Sequence, residues 1–293
     1  MRSLLFVPAD SPRKLEKALA SGADVLIVDL EDSVAAGAKA AARASAAAFL
    51  REVAATTERP KLYVRINAFV TGLVDADLDA VLGAGAEGIM LPKAGGGQDV
   101  TRLDAKIAVH EAIHGLGDGA IRVIAIATEM ASALFQMGSY RGASRRLAGL
   151  AWGAEDLAAD IGVPANRDAT GAFLDPFRLA RTLALLGAVG AEVVPIDGVY
   201  TAFRDLDGLR RECAEAVRDG FTAKMAIHPD QVAVINDAFT PSVDAVERAR
   251  RVVEAFAAAG DAGVIGLDGA MLDRPHLRQA ERLLARAASA GVA

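Results

Sequence analysis

Val25-Leu26-Ile27-Val28-Asp29-Leu30-Glu31-Asp32 places four aliphatic residues in a row, then alternates acid and leucine, and closes on two acids. A short run that is apolar on both alternating faces is the pattern of a parallel strand covered by helices on both sides. Its acidic end marks a strand that finishes at a polar, functional edge. The same short apolar or β-branched pattern recurs at Ser3–Pro8, Leu62–Asn67, Gly88–Pro92, Arg122–Thr128, Leu147–Gly153, Glu192–Ile196 and Thr222–Ile227, making eight strands. Helix signals lie between them. Ser11-Pro12 and Asp175-Pro176 put a capping residue before a first-turn proline. Gly83, Gly115, Gly187 and Gly220 stand where helices are expected to stop.

Eight strand–helix units predict an α/β fold closed as a (β/α)8 TIM barrel over residues 1–240. No Gly-x-Gly-x-x-Gly follows the first strand, so an open dinucleotide-binding sheet loses its main support. Gly95-Gly96-Gly97 lacks the Lys-Ser/Thr of a phosphate loop and reads as a plain turn between strand and helix. Residues 241–293 are surplus to a barrel. They show a helix from about 242 to 259, a Gly-bearing loop over 260–269 and a final helix from about 274 to 288. This C-terminal helical extension is a candidate lid or subunit-exchange element.

Composition narrows the function classes. The net charge is −6 and no basic run is interleaved with aromatics, which argues against nucleic acid as a partner. No apolar stretch reaches the roughly 18 residues of a membrane span. The start, residues 1–14, reads as the first strand rather than a cleaved leader. Cys213 is the single cysteine, which excludes an internal disulfide or a thiolate cluster; it reads as a small helix residue. A cytoplasmic protein is expected.

In a (β/α)8 barrel, chemistry gathers at the C-terminal ends of the strands. There the chain offers Asp29, Glu31 and Asp32, then Arg65 to Asn67, Pro92-Lys93, Thr128-Glu129, Glu155-Asp156, Asp197 and His228. Such a rim of carboxylates needs a cation to balance it. Glu129 and Asp156 belong to adjacent strands, and two carboxylates with open positions beside them suit Mg²⁺. Arg65 is a natural fork for a substrate carboxylate or carbonyl, and can pair with Glu31 or Asp32 as well. Lys93 raises a Schiff-base reading, which the surrounding carboxylates oppose by favouring its charged form. His110 to His114 reads HEAIH, a literal zinc-motif match, but on a helix expected outside the barrel and with no evident third ligand.

These segments resemble the citrate lyase β-subunit-like branch of the HpcH/HpaI aldolase superfamily, which includes malyl-CoA and citramalyl-CoA lyases. The motifs are LLFVPADSPRKLEKA, DVLIVDLEDSV, YVRIN, IMLPK, the Glu of IATEM, WGAEDLAADIG, IDGVYTAFRDLDGL, MAIHPDQV and GAMLDRPHL, in order across about residues 2 to 285. The resemblance implies a Mg²⁺-dependent carbon–carbon cleavage of an acyl-CoA thioester. It implies Glu129 and Asp156 as metal ligands, and Arg65 as holder of the oxo-acid product. Glu31 and Asp32 would orient Arg65 and water at the metal. Arg13, within residues 8–14, would meet the nucleotide part of CoA, while Pro92 and His228 would contact ligand. Asp273 would act as acid/base group over a neighbouring subunit's site, in a homotrimer or homohexamer. Ala9, Met130-Ala131 and Ala223-Lys224 depart from the family pattern; Met130, beside a metal ligand, is expected to reshape the acid pocket.

Three active readings stay open: a stand-alone CoA-ester lyase, a metal-dependent aldolase on free hydroxy-oxo acids, and a subunit of a larger lyase complex acting on a carrier-bound thioester. A fourth, an inert scaffold barrel, conflicts with the rim carboxylates.

Overall fold

A computed structural model describes residues 1–260 and 262–292. Eight parallel strands close into a barrel: β1 (Ser3–Pro8), β2 (Val25–Asp29), β3 (Lys61–Arg65), β4 (Gly88–Leu91), β5 (Arg122–Ile126), β6 (Leu147–Ala151), β7 (Val194–Asp197) and β8 (Ala223–Ala226). Ser3 aligns with Lys224 where β8 meets β1 and shuts the ring. Each of the eight expected runs contains a strand, and most strands stop one or two residues before the expected polar end, where the chain turns into the loop.

Alternation sorts the strand residues between two cores. Leu4, Val25, Ile27, Tyr63, Met90, Ile124, Ile126, Ile196 and Met225 fill the barrel interior. Leu5, Val7, Leu26, Val28, Leu62, Val64 and Ile89 face outward into the larger core shared with the helices. Gly88 is obligatory here, because a Cβ on it would stand 2.2 Å from the Tyr63 ring.

The surrounding helices are α1 (Pro12–Leu19), α2 (Lys39–Ala54), α3 (Val74–Val81), α4 (Gly97–His114), α5 (Glu155–Ile161), α6 (Asp175–Gly190), α7 (Leu206–Asp219) and α8 (Asp230–Phe239). After β5 the chain makes a 3-10 stretch, Ala131–Tyr140, instead of an α-helix. Gly115 and Gly220 do end helices in the left-handed conformation. Gly187 does not: it lies inside α6, close against Met137, so its small size serves helix packing. The Gly95–Gly97 turn is likewise a packing device, since a Cβ on Gly97 would fall 2.0 Å from the Ser139 carbonyl oxygen.

The extension folds as α9 (Val243–Ala258), a hairpin of β9 (Val264–Leu267) and β10 (Ala270–Asp273), and α10 (Arg274–Ser289). The expected plain loop is therefore a hairpin. Asp268 and Gly269 both take positive φ, 52° and 75°, the two-residue turn that Asp-Gly favours. Ala249, Val252, Phe256, Leu272 and Ala280 give the extension an apolar cluster of its own. No helix among the described residues is long and apolar enough to cross a membrane.

The rim expected from the strand ends loses two members. Asp197 follows the inward Ile196 and so faces outward. It receives hydrogen bonds from Trp152 Nε1 at 2.7 Å, Lys224 Nζ at 2.8 Å and Arg181 Nε at 2.9 Å. Asn67 is taken up by Asp77 on α3, through both its backbone and its side-chain nitrogen. The HEAIH segment is also structural. Glu111 is clamped by Arg146 and by the backbone N–H groups of Gly119 and Ile121, and the His114 ring fills the space over Gly83. Cys213 is buried in α7.

Asp197 and Lys224 are both fully enclosed, so removing one partner strands a buried charge. Lys224→Met is expected to cost about 3–5 kcal/mol in urea unfolding, and Asp197→Asn with Lys224→Met together clearly less. Burial opposes ionisation of Asp197, but Lys224 and Arg181 override it and hold the carboxyl down to about 2. Its contribution is thus present above the unfolded value of 3.8 and is lost as pH falls from there through about 2. Asp197→Asn should flatten acid unfolding in that window.

Candidate active site

At the C-terminal mouth a cavity of about 280 Å³ opens, with Phe6, Arg65, Glu129, Trp152, Asp156 and Met225 among its walls. Arg65 organises it. The alternation that turns Val25 and Ile27 inward brings Asp29 inward as well, and Tyr63 does the same for Arg65. The guanidinium grips Asp29 with two parallel bonds, Nε to Oδ1 at 2.7 Å and Nη2 to Oδ2 at 2.6 Å. Its remaining nitrogen, Nη1, lies 3.0 Å from Glu31 Oε2, and its flat face rests on the Phe6 ring at 4.7 Å. Burial opposes the charge on Asp29, yet the Arg65 fork wins and keeps its carboxyl below the usual range. Arg65, also opposed by burial, is driven further into its protonated form by Asp29.

Asp29 was not among the residues singled out for a role, and its place as the last inward residue of β2 was the available signal. The expectation that Asp32 orients Arg65 is corrected. Asp32 is exposed, and its partner is Lys93 Nζ at 3.2 Å. Lys93 links the rest of the rim. Its ammonium is 2.5 Å from Glu31 Oε1 and 3.1 Å from Asp156 Oδ1, while its backbone N–H donates to Glu129 Oε2. To do this it holds φ at +49°, a left-handed conformation that costs a non-glycine residue energy and persists only where surroundings impose it. Burial works against the ammonium, but Glu31, Glu129 and Asp156 push it firmly towards the charged form, which removes the Schiff-base reading. Lys39 anchors the neighbouring loop by donating to the carbonyls of Leu30 and Glu31 at 2.7 and 2.6 Å.

Glu129 is buried against Gly153, where a Cβ would crowd its Cγ at 3.1 Å. Burial, then the like charges of Asp156 and Glu31, push its carboxyl up to about 8. Burial likewise raises Glu31. Glu31 Oε2 is buried and has no aligned hydrogen-bond donor. Crowded carboxylates, one too acidic a neighbourhood to ionise easily and one with a spare lone pair, are what a small hard dication would relieve. The oxygen donors Glu129 and Asp156 fit Mg²⁺ in chemistry. Among the described residues no group of three or more His, Cys, Asp or Glu is placed to hold a metal ion, so the pair Glu129 and Asp156 is the donor set considered.

The other expected contacts are dispersed. Arg13 is exposed in the first turn of α1, beyond Pro8, which lines the cavity. Pro92 is buried and stands outside the cavity lining. His228 stacks on Phe203 at 4.9 Å beside Ile227, a lining residue. Met130 is not in the lining, and its methyl end lies by Gly95. Asp273 is outside the cavity of its own chain, at the start of α10, with Oδ1 2.6 Å from His276 Nδ1.

The HpcH/HpaI aldolase/citrate lyase family model matches residues 2–229. The chain is 36% identical over 286 residues to the citrate lyase subunit beta-like protein of Mycobacterium tuberculosis, covering 98% of this chain and 95% of that protein. It is 31% identical over 305 residues to the mitochondrial citramalyl-CoA lyase of Rattus norvegicus, covering 98% and 86%. The crystal structure of CitE from Mycobacterium tuberculosis in complex with magnesium, acetoacetate and coenzyme A superposes with a TM-score of 0.74 at 34% identity, over 98% of both chains. With the closed parallel barrel and the carboxylate-lined mouth, these likenesses establish that the chain belongs to the HpcH/HpaI aldolase/citrate lyase family and is a carbon–carbon lyase.

Proposed function

We propose that the chain is a Mg²⁺-dependent lyase that cleaves a 3-hydroxyacyl-CoA thioester of the malyl, citramalyl or citryl type into an acyl-CoA and an oxo acid. The observation that carries this reading is the placing of a locked guanidinium, Arg65, and a crowded carboxylate pair, Glu129 and Asp156, on the walls of one small cavity. The reading takes support from a relative whose structure holds magnesium, acetoacetate and coenzyme A together.

In this scheme Glu129 and Asp156 hold the ion, which when bound polarises the substrate's hydroxyl and carboxylate oxygens. Arg65 receives the carboxylate and carbonyl of the oxo-acid half. Its two bonds to Asp29 and its contact with Glu31 fix it before substrate arrives, so little reorganisation is needed. Lys93 and Arg65 offset part of the negative charge of the acidic rim. Phe6, Ile126, Trp152 and Met225 make the apolar walls that exclude water. Cleavage sends the bonding electron pair into the thioester as an enolate, while the hydroxyl passes its proton to solvent water and becomes the new carbonyl. Asp273, delivered by a neighbouring subunit's extension, protonates the enolate carbon. Asp32 and Arg13 stand further out, on the approach taken by water and by the nucleotide end of CoA. His228, stacked on Phe203 beside Ile227, bounds that approach, while the buried Pro92 shapes the turn that presents Lys93. The division at residue 240 separates the barrel from this mobile-arm role, and the assembly is a cytoplasmic homotrimer or homohexamer.

An acyl-CoA panel (malyl, citramalyl, citryl and 3-hydroxy-3-methylglutaryl), read by mass spectrometry with and without Mg²⁺, should show one thioester cleaved only with metal. No cleavage of any member would remove the stand-alone reading. Glu129→Ala and Asp156→Ala should each weaken Mg²⁺ binding by calorimetry about a hundredfold; unchanged affinity in both sinks the metal assignment. Asp29→Asn, which keeps the shape but weakens the Arg65 fork, should lower kcat/KM by about tenfold to a hundredfold with Mg²⁺ affinity kept. Asp273→Asn should slow turnover by about a hundredfold or more with KM little changed. Mixed oligomers of Asp273→Asn and Asp156→Ala subunits should regain activity if the aspartate works across subunits.

A further inference from the structure

A larger cavity, about 850 Å³, lies at the opposite end of the barrel, between the strand beginnings and α10. Its walls are apolar in part, with Leu147, Val193, Pro195 and Leu283. Its charged lining is one-sided. Lys61 at the start of β3, Arg122 at the start of β5, and Arg282 and Arg286 from α10 all contribute to it, against the single carboxylate of Glu192. The nearby acids are already engaged: Asp24 by Arg2 at 2.7 Å, Glu87 by Arg59 at 2.5 Å, and Glu192 by Arg141 at 3.8 Å. None of the four cations has a carboxylate within ion-pair distance among the described residues, in a chain whose net charge is −6. Arg286 is half-buried, and that burial, with nothing to offset it, pulls its guanidinium below the ordinary value. Three of these cations are exposed and Arg286 is half-buried; without carboxylate partners among the described residues, they give this partly apolar hollow a positive potential that attracts an anion.

We infer that this floor cavity binds a phosphate-bearing organic anion, whose phosphates meet Arg122, Arg286, Arg282 and Lys61 and whose body lies on the apolar wall. The volume is within the range of about 300–1,000 Å³ usual for small-molecule sites. Arginine forks match phosphate oxygens in pairs, and two of these forks come from α10 while the third comes from the barrel. The ligand therefore spans the joint between extension and barrel. Its binding holds α10 against the barrel floor, and so sets how freely the segment carrying Asp273 can move.

The test is calorimetry on the full chain, without divalent metal, using ADP and inorganic pyrophosphate as separate probes. Saturable binding of ADP is expected, weakened about tenfold or more in Arg122→Gln with Arg286→Gln. The same double variant should retain its fold and metal affinity, because neither residue touches the mouth. Slower hydrogen exchange along α10 with ADP present is the second expected result. Tighter binding of ADP than of pyrophosphate assigns the apolar wall to an organic body; equal binding assigns the site to the phosphates alone. Absence of saturable binding of both probes, or binding untouched by the double variant, overturns the inference. So does binding lost in Arg13→Gln, which would place the anion at the mouth instead.

Discussion

The Arg65–Asp29 fork is the interaction on which the mouth of the barrel depends. Both groups are drawn inward by strand alternation, and each is tolerable there only because of the other. A buried guanidinium without Asp29 would carry an uncompensated charge, and a buried Asp29 without Arg65 would protonate. Together they form a rigid positive surface beside Glu31, with one face resting on Phe6. Lys93 then extends that balance across the rim to Asp156 and Glu129, at the cost of a left-handed backbone. Two side-chain cations thus share five carboxylates, Asp29, Glu31, Asp32, Glu129 and Asp156. The acids therefore outnumber the side-chain cations locally.

A different balance holds at the other end of the barrel. There the cations exceed the acids that could neutralise them, and α10 supplies half of those cations. The extension is held to itself more firmly than to the barrel: its own apolar cluster joins α9, the hairpin and α10. One helix, α10, begins at Asp273 and carries Arg282 and Arg286 to the floor.

Between these ends, the polar groups of β7 and β8 do structural work. Asp197 and Lys224 stand behind Trp152 rather than on the rim; Asp197 accepts from the indole Nε1–H and from Lys224 Nζ, and so sets the angle of one cavity wall. Gly153 and Gly88 act similarly by omission, the first making room for Glu129 and the second for Tyr63.

Much of this was legible in the chain. Eight short, nearly continuous apolar runs predicted eight strands and a barrel, because parallel strands buried on both faces need helices around them. Strand ends then pointed to Glu31, Arg65, Glu129 and Asp156, since loops at one barrel face must converge. The Asp268-Gly269 hairpin was legible too and was passed over as a loop, although that dipeptide favours the turn it makes. What the sequence could not settle was direction and partnership. Whether Asp197 faced the rim or the helices depended on a one-residue difference in where β7 stops. That Arg65 would choose Asp29, that Lys93 would bridge three acids, and that α10 would cross the barrel floor are outcomes of side chains meeting from segments 36 to more than 200 residues apart. Local pattern assigns a residue to a strand and a face; only the closed barrel decides which charges stand within reach of one another, because Coulomb and hydrogen-bond energies depend on distances that the linear order does not contain.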